Sequence, residues 1–278
     1  MRRSLIVTAD DFGASHAVNE AVERAHRHGI LTAASLMVAG QAADDAIARA
    51  KAMPGLGVGL HVVLVEGRPV LPPAQVPDLV DASGRFREDM VGTAFRIALK
   101  PGVRRQLHAE IEAQFAAFAA TGLPLDHVNT HKHFHLHPMI ASAILSAGRR
   151  HGLRAMRAPV EPRAILASIE MDRPPRRDPA AFWARSTARR LARAGLRVPD
   201  QVFGLAWTGA MTAARVRGIV ERLPEGISEL YLHPATDGGW EGAAPGYDYA
   251  GELAALVDPD VIASAHERAR LMRFADLA

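Results

Sequence analysis

Cysteine is absent from the 278 residues of this chain. Disulfide bonds and thiolate metal ligands are therefore excluded, and any bound metal must be held by histidine, carboxylate or water. The absence also fits a reducing compartment, so we expect a cytoplasmic protein.

Long hydrophobic runs are missing as well. No stretch is long enough to span a bilayer, and the short apolar run Leu5–Val7 meets two aspartates at once, so we expect no signal-peptide core. A formal net charge of only +3 gives no reason to expect a nucleic-acid partner. A phosphate-binding loop is also lacking, because Gly55, Gly57 and Gly59 precede a strand instead of joining a strand to a helix. The sequence leaves the formation of a homo-oligomer open.

One local exception to the balanced charge is an arginine-rich segment, residues 173–197, which also contains Phe182 and Trp183. A solvated arginine-rich helix is the favoured interpretation, because runs of charge usually mark an exposed helix face. Peripheral contact with an anionic surface such as the inner membrane is the alternative.

Short apolar runs of strand length alternate with helical patterns along the chain. The predicted strands are Leu5–Ala9, Ala34–Val38, Val58–Leu64, His127–His135, Ala155–Ala158, Val202–Trp207 and Ser228–His233. The predicted helices include Ser15–His28, Val103–Thr121, Pro138–His151 and Ala180–Ala194, each followed by a glycine where a left-handed residue would end the helix.

This alternation predicts an α/β fold made of one domain, residues 1–278. Seven or eight strand–helix units suit a distorted (β/α) barrel with parallel strands, and a doubly wound sheet is the alternative. The Pro-rich loop Pro69–Pro77 is long enough to be a candidate lid over a site.

Acidic and histidine residues cluster at or near the ends of the predicted strands. Asp10 and Asp11 end the first strand, His61 lies in a later strand, and the run His131–His137 has histidine at every second position. Because the carboxyl ends of barrel strands meet at one face, these residues can surround one ion. A metal centre at the C-terminal ends of the strands is therefore predicted.

The histidine run is expected to be an extended strand, in which His131, His133 and His135 point to one side. Consecutive members would then be roughly 6.5–7 Å apart, so one ion would take one of them directly unless the strand bends. One carboxylate with two imidazoles, from among His61, His131 and His133, would leave coordination positions open for water and substrate.

The two adjacent aspartates are expected to have different roles. They point in opposite directions in an extended strand, but a turn at the strand end would let both reach the cleft. One would then bind the metal while the other accepts a proton from water. A helix-capping turn is the alternative explanation for this pair.

Four further residues lie near the ends of predicted strands. His233 is a candidate general acid, although a histidine that merely caps the strand is an equal alternative. Arg157, Glu161 and Trp207 are candidates for lining the pocket, and ordinary surface roles suit each of them as well.

Three motifs resemble those of the YdjC-like carbohydrate deacetylase family: Thr8–Gly13 (TADDFG), Gly59–His61 (GLH) and Asn129–His135 (NTHKHFH). Their order and spacing match too. Three further segments are most similar to the HpnK branch, which is associated with hopanoid biosynthesis. These are Leu31–Met37, Gly67–Pro73 and Pro124–Asn129. The resemblance is strong to about Pro162 and weaker beyond it.

The resemblance implies a distorted barrel that binds one divalent cation through Asp11, His61 and His131, with Asp10 as the base. Mg²⁺ and Zn²⁺ are favoured, and Mn²⁺ and Co²⁺ also tolerate such ligands. The residues then expected to contact substrate or support the ligands are His133, His135, Asn129, Arg157 and Trp207.

The substrate that the resemblance implies is an N-acetylglucosamine unit, which in the HpnK branch is attached to a hopanoid lipid. Relatives that act on chitooligosaccharides typically carry Asp at the position of Asn129. A neutral amide puts in doubt the electronic tuning of His131 or neighbouring groups and the identity of the substrate, but not metal binding.

The expected reaction is hydrolysis of the acetamide, with Asp10 taking a proton from water and His233 protonating the departing amine. A soluble chito-oligosaccharide or another acetylated amino sugar is the alternative substrate. Two other classes of function are open: a non-catalytic sugar-binding protein, which would not need the second aspartate, and a non-haem iron oxygenase, because two histidines and one carboxylate also suit iron(II).

Overall fold

A computed structural model of the chain describes residues 3–171 and 180–277. The strands are β1 (Arg3–Phe12), β2 (Ala33–Leu36), β3 (Gly57–Val62), β4 (Val128–Thr130), β5 (Gln201–Phe203), β6 (Gly226–Leu232) and β7 (Arg270–Leu271). The helices are α1 (His16–His28), α2 (Ala43–Lys51), α3 (Met90–Leu99), α4 (Pro101–Ala120), α5 (Pro138–Arg150), α6 (Arg163–Ile169), α7 (Ala181–Arg193), α8 (Ala213–Glu221), α9 (Tyr249–Leu256) and α10 (Pro259–Arg268). Short 3-10 helices are Pro73–Gln75, His131–Leu136 and Phe274–Asp276. Residues 173–179 of the arginine-rich segment lie outside the described part of the chain.

The strands form one parallel sheet in the order β4-β3-β2-β1-β6-β5, and β7 pairs with the start of β1. An irregular segment, residues 155–160, joins the two ends of this sheet. The Val128 N–H donates to Ala155 O at 3.1 Å, and the Val202 N–H donates to Val160 O at 2.9 Å. The predicted distorted barrel of parallel strands is confirmed, and the described residues contain seven strands, of which β7 has only two residues.

The barrel core is continuous through the central strands. Six successive residues of β1 are buried, as are all residues of β2 and β3, which is typical of parallel strands covered by helices on one side and barrel interior on the other. On α1, the N–H of Val18 donates to the Ser15 hydroxyl, and the apolar stripe Val18, Ala21, Val22 and Ala25 is buried. No described helix is both long and apolar enough to cross a membrane.

Glycine follows the predicted helices for two different reasons. Gly122, Gly152 and Gly195 have φ between +73° and +85°, as the left-handed helix ending requires. Gly29 has φ −138°, so the left-handed prediction is wrong there. A Cβ at this position would overlap the carbonyl oxygen of Leu256, so close backbone approach explains the glycine instead.

The histidine run is not an extended strand. Regular pairing stops at Thr130, and the chain then enters a 3-10 helix in which Lys132 and His133 both have φ +53°. The Thr130 hydroxyl holds this turn because it accepts the main-chain N–H of His135 at 3.1 Å. The predicted alternation of His131, His133 and His135 on one side is therefore wrong.

Candidate metal centre and active site

Asp10 and Asp11 line the same cavity although they are adjacent in β1. Adjacent side chains of a regular strand point to opposite faces. Here the pairing of β1 with β2 is irregular between Ala9 and Phe12, and Asp11 has φ +62°, which is uncommon for a residue other than glycine. The turn at the strand end therefore brings both carboxylates to the cleft, as the sequence predicted.

Asp11, His61 and His131 form a compact set of potential metal ligands. Asp11 Oδ1 lies 3.2 Å from His61 Nε2 and 3.2 Å from His131 Nδ1, and one donor atom from each residue lies within 4.8 Å of the others. Asp11 Oδ1 and His61 Nε2 are buried without a hydrogen-bond partner. Buried polar atoms are normally paired, so this donor set fits a divalent ion. His133 is not part of the set.

Charge around the three donors favours a cation. Burial would lower the pKa of His131, but the carboxylates of Asp11 and Glu66 raise it to about 9. Burial would likewise raise the pKa of Asp11, and the imidazoles of His131 and His61 nevertheless hold it well below its ordinary value. Glu66 also forms an ion pair with Lys132, on the outer side of His131. The centre therefore keeps its carboxylates ionised and attracts positive charge.

His133 and His135 occupy different environments after the turn. His133 lines the cavity, and its Nε2 lies 3.0 Å from the Tyr231 hydroxyl. His135 is fully buried, with Nδ1 2.7 Å from the Thr130 hydroxyl, and it is not among the residues that line the cavity. Burial and the charge of Arg157 lower the pKa of His135 to about 3, so the ring stays neutral. Of these two histidines, only His133 therefore reaches the cavity.

Asp10 is held by an arginine beneath the cavity. Arg157 Nη1 donates to Asp10 Oδ2 at 2.5 Å, and Nη2 donates to Oδ1 at 3.0 Å. Burial would raise the pKa of Asp10, but the charge and hydrogen bonds of Arg157 keep it below its ordinary value. Arg157 itself is fully buried, donates to Glu229 as well, and lies 4.3 Å over the Tyr231 ring. Arg157 therefore orients Asp10. The sequence suggested that it lines the pocket, but it does not.

His233 lies in the same cavity as Asp10 and Asp11. Its main-chain N–H donates to Glu252 Oε2 at 2.6 Å, which fixes the end of β6. The ring packs edge-on against Tyr231 and Tyr247, and the buried Nδ1 has no partner. The His233 residue thus lines the cavity that contains both aspartates, where a general acid is needed.

Two adjoining cavities meet at the metal donors. The inner one, of about 330 Å³, contains Asp10, His133 and His233, and the outer one, of about 620 Å³, runs between the loops that follow β2, β3 and β6. Residues 66–68 and 81–88 supply outer-cavity residues, but Pro69–Pro77 does not. Instead, Glu110 accepts the main-chain N–H groups of Val70 and Leu71 and ties this loop to α4. The structure does not support Pro69–Pro77 as a lid over the site.

The chain matches the family model described as YdjC-like protein over residues 4–267. It belongs to the YdjC-like family. A carbohydrate deacetylase of Geobacillus stearothermophilus is 31% identical over 271 residues, which cover 96% of this chain and 95% of that protein.

Two other relatives match more locally. A carbohydrate deacetylase of Brevibacillus brevis is 42% identical over 147 residues, covering 53% of this chain and 56% of that protein. A chitooligosaccharide deacetylase of Serratia marcescens is 34% identical over 154 residues, covering 55% and 58%. These two matches span little more than half of each relative.

A solved structure from Enterococcus faecalis V583, described as a putative cellobiose-phosphate cleavage protein, shares the fold. It covers 100% of both chains with a TM-score of 0.78 and 22% sequence identity. The family model therefore shows the YdjC-like family, and this solved structure shows the same fold.

Two residues that the sequence suggested for this YdjC-like site lie elsewhere. Trp207 is buried beneath the guanidinium of Arg215, 4.9 Å from the ring centre, and does not line the cavity. Glu161 accepts the main-chain N–H groups of Gly204, Leu205 and Ala206 and thus braces the chain after β5. Both have structural roles.

Other residues of the site were missed by sequence reasoning. Glu229 is fully buried in β6 and accepts a hydrogen bond from Arg157 Nη2. A charged residue inside an apolar strand was the signal in the sequence that could have identified it. Tyr231, next but one along the same strand, contacts both His133 and Arg157. Glu66 had no signal, because only the folded loop brings it to His131.

Proposed function

We propose that this YdjC-like chain is a metal-dependent hydrolase that removes the N-acetyl group from an N-acetylglucosamine unit. The observation that carries the proposal is the presence in one cavity of a compact set of three potential metal ligands and a separate, ionised Asp10. The names of the relatives from Geobacillus stearothermophilus and Serratia marcescens support a deacetylase.

A divalent ion on Asp11, His61 and His131 would supply Lewis acidity, which acidifies water and polarises an amide carbonyl. Asp10 accepts the proton of the water whose oxygen attacks the acetyl carbon. His233 donates a proton to the amide nitrogen as the carbon–nitrogen bond breaks, which yields acetate and a free amine. His133 and Tyr231 line the same cavity, with His133 Nε2 3.0 Å from the Tyr231 hydroxyl, and we propose that they contact the sugar.

The bidentate contact with Arg157 suits Asp10 to the role of base. A carboxylate held ionised is available over the whole physiological pH range, but it is a weak base. It therefore needs water that has already been acidified, and the neighbouring donor set is where a cation would do this. In this proposal Asp11 binds the cation that acidifies the water, and Asp10 accepts the proton of that water.

Release of acetate tests the proposal. The protein is stripped with a chelator, reloaded with Mg²⁺, Zn²⁺, Mn²⁺ or Co²⁺, and incubated with an N-acetylglucosaminyl substrate. We expect acetate in a 1:1 ratio with new amine for at least one metal and none for the stripped protein. Binding of sugar without acetate would instead indicate a sugar-binding protein, and oxygen uptake with a 2-oxo acid would indicate an oxygenase.

For the substrate we propose the lipid-linked form, in which the acetylated sugar is attached to a hopanoid, as in the HpnK branch. Support comes from large apolar side chains that two helices expose. On α3, Val91, Phe95 and Leu99 are 65%, 64% and 75% exposed, and on α7, Phe182 and Trp183 are 72% and 53% exposed. Contiguous exposed apolar side chains mark interaction surfaces, including membrane contacts.

The two helices flank the segment that carries the site histidines. The main chain of Ala94 in α3 contacts the His137 ring, and Arg190 of α7 donates to Pro138 O at 2.7 Å. Residues 90–109 contain four basic residues and residues 180–198 contain five, and neither stretch contains an acidic residue. This charge is complementary to anionic lipid headgroups.

A soluble chito-oligosaccharide is the second candidate substrate, and the outer cavity of about 620 Å³ favours it because a second sugar ring fits there. A comparison of kcat/KM for diacetylchitobiose and for an N-acetylglucosaminyl lipid in detergent decides between the two. The lipid-linked proposal requires the higher value for the lipid.

A further inference from the structure

A chain of buried polar residues runs from the metal donors to the bottom of the barrel. Asn129, Ser35 and His127 are fully buried and Asp126 is 6% exposed. The mechanism above uses none of them directly. Four polar side chains in one apolar core are costly unless their hydrogen bonds are satisfied together.

Asn129 is the branch point of this chain. Its Nδ2 donates to Asp10 Oδ1 at 2.8 Å and to Ser35 Oγ at 2.9 Å, and its Oδ1 lies 2.6 Å from His61 Nδ1. The opposite orientation of the amide would place two oxygens against each other, because an ionised Asp10 can only accept hydrogen bonds. The charge of Asp10 therefore fixes the direction in which Asn129 points.

The orientation of Asn129 then fixes the protonation of His61. The amide oxygen can only accept, so the proton of His61 must be on Nδ1. This leaves the lone pair of Nε2 directed at Asp11 Oδ1, 3.2 Å away, among the metal donors. A neutral histidine binds metal through the nitrogen that carries no proton.

Behind Asn129 the same logic continues. Ser35 accepts from Asn129, so its own hydroxyl donates to His127 Nε2 at 3.0 Å, and His127 Nδ1 then donates to Asp126 Oδ2 at 2.9 Å. Asp126 Oδ1 accepts the main-chain N–H of Ala275 at 2.8 Å. Each donor among these four side chains has one acceptor, and the directions of their hydrogen bonds are mutually consistent.

Two glycines of β3 make room for this arrangement. A Cβ at Gly57 would come within 2.6 Å of the Asp126 carboxylate, and a Cβ at Gly59 within 2.5 Å of the His127 ring. The His127 ring also stacks on Phe274 with centroids 4.2 Å apart. Gly57 and Gly59 do not form a phosphate-binding loop. Their missing side chains instead leave the space that Asp126 and His127 occupy.

We propose that Asn129, Ser35, His127 and Asp126 form a positioning relay, which holds His61 in the tautomer that presents a bare Nε2 to the metal. The charge of Asp10 orients the relay from one end and Asp126 orients it from the other. The inference rests on the proposed metal site but not on the proposed substrate.

The relay is tested with the full chain, labelled with ¹⁵N-histidine and loaded with Zn²⁺. Long-range ¹H–¹⁵N correlation spectra report which nitrogen of His61 carries the proton, and competition with a chelator reports the dissociation constant for Zn²⁺. For the unaltered chain we expect a slowly exchanging proton on Nδ1. A proton on Nε2 would overturn the proposal.

Two variants remove the relay at different points. In Asn129→Ala the His61 Nδ1 proton should exchange rapidly with solvent, and Zn²⁺ affinity should fall about 10- to 100-fold. Ser35→Ala should weaken Zn²⁺ in the same direction, and Ser35→Thr, which keeps the hydroxyl, should restore it. Unchanged proton exchange and affinity in both alanine variants would contradict the relay.

Thr32→Val is the matched control. It removes a partly buried side-chain hydrogen bond between β1 and the start of β2, where Thr32 Oγ1 accepts from the N–H of Val7 at 2.9 Å, outside the relay. It should lower the unfolding temperature without changing the His61 proton or Zn²⁺ affinity. Equal loss of affinity in this control would show that general destabilisation explains the effect. If the chain binds no divalent ion at all, the proposed function fails, and the Nδ1 proton in the metal-free chain still tests the tautomer.

Discussion

Asp10 and Asp11 are chemically identical and adjacent, yet their neighbours give them opposite tasks. The guanidinium of Arg157 balances the negative charge of Asp10, and both oxygens of Asp10 already accept hydrogen bonds. Asp11 faces two imidazoles and has a buried oxygen with no hydrogen bond. A metal ion competes well only for the second kind of carboxylate.

Exchange of each aspartate for its amide separates the two tasks. At saturating metal, Asp10→Asn should still carry the ion, with weaker affinity because the charge that orients Asn129 is lost, and kcat should fall by about 10²–10⁴-fold because the acceptor of the water proton is lost. Asp11→Asn should lose both metal and turnover. Bound metal measured by elemental analysis, together with acetate release, checks both. Normal turnover in Asp10→Asn would show that another residue is the base.

Arg157 is predicted to be essential for stability as well as for orientation. It is the shared cation of two buried carboxylates, Asp10 and Glu229. Arg157→Met should therefore lower the free energy of unfolding by about 3–5 kcal/mol, the usual result of leaving buried charge unpaired. Denaturant titration measures this, with Arg149→Met, an exposed arginine on α5, as the control. A loss similar to the control would mean that water already compensates the two carboxylates.

At the scale of helices and strands, the glycines after helices give a discriminating pair of substitutions. Gly122 has φ +75° with open space around it, so Gly122→Ala should cost only the left-handed strain of about 1–2 kcal/mol. Gly29 has an extended backbone that alanine adopts freely, but its Cβ would overlap Leu256 O at the end of α9. Gly29→Ala should therefore lower the thermal midpoint more than Gly122→Ala. The reverse order would show that α1 and α9 can move apart.

Periodic elements were predictable from the sequence because burial imposes their pattern. The stripe of α1, the apolar strand β1 and the parallel barrel all follow from local spacing. The run after Thr130 was not predictable, because its alternating histidines are typical of a strand. Only the hydroxyl of Thr130, which accepts the N–H of His135, and two left-handed residues turn it into a 3-10 helix.

The candidate site was predictable to the extent that strand ends converge. Asp10, Asp11, His61, His131 and His233 all line one cavity. Arg157 was expected in the pocket and instead lies beneath it, since sequence gives the end of a strand but not the depth of a side chain. Long-range partners such as Glu66 and Glu229 carry no local signal of their pairing.

At the scale of the whole molecule, a net charge of +3 conceals an uneven distribution. Basic residues accumulate on α3, the start of α4 and α7, beside the exposed apolar side chains of α3 and α7. Both helices contact the end of the segment that carries the site histidines. A bilayer bound to this surface would therefore lie against two helices that contact this segment.

Sedimentation with phospholipid vesicles tests this arrangement. The chain should bind vesicles with anionic lipid more tightly than neutral vesicles, and salt should weaken the binding. Arg189→Gln with Arg193→Gln should weaken it by about 2 kcal/mol, or about 1 kcal/mol for each charge. Phe182→Ser with Trp183→Ser should weaken binding even at low salt, because apolar insertion is lost.

Arg217→Gln, on α8, is the charge control. All variants should deacetylate a soluble substrate normally, because none of these side chains lines the cavity. Equal binding of all variants and of the unaltered chain would rule out this surface as the membrane contact.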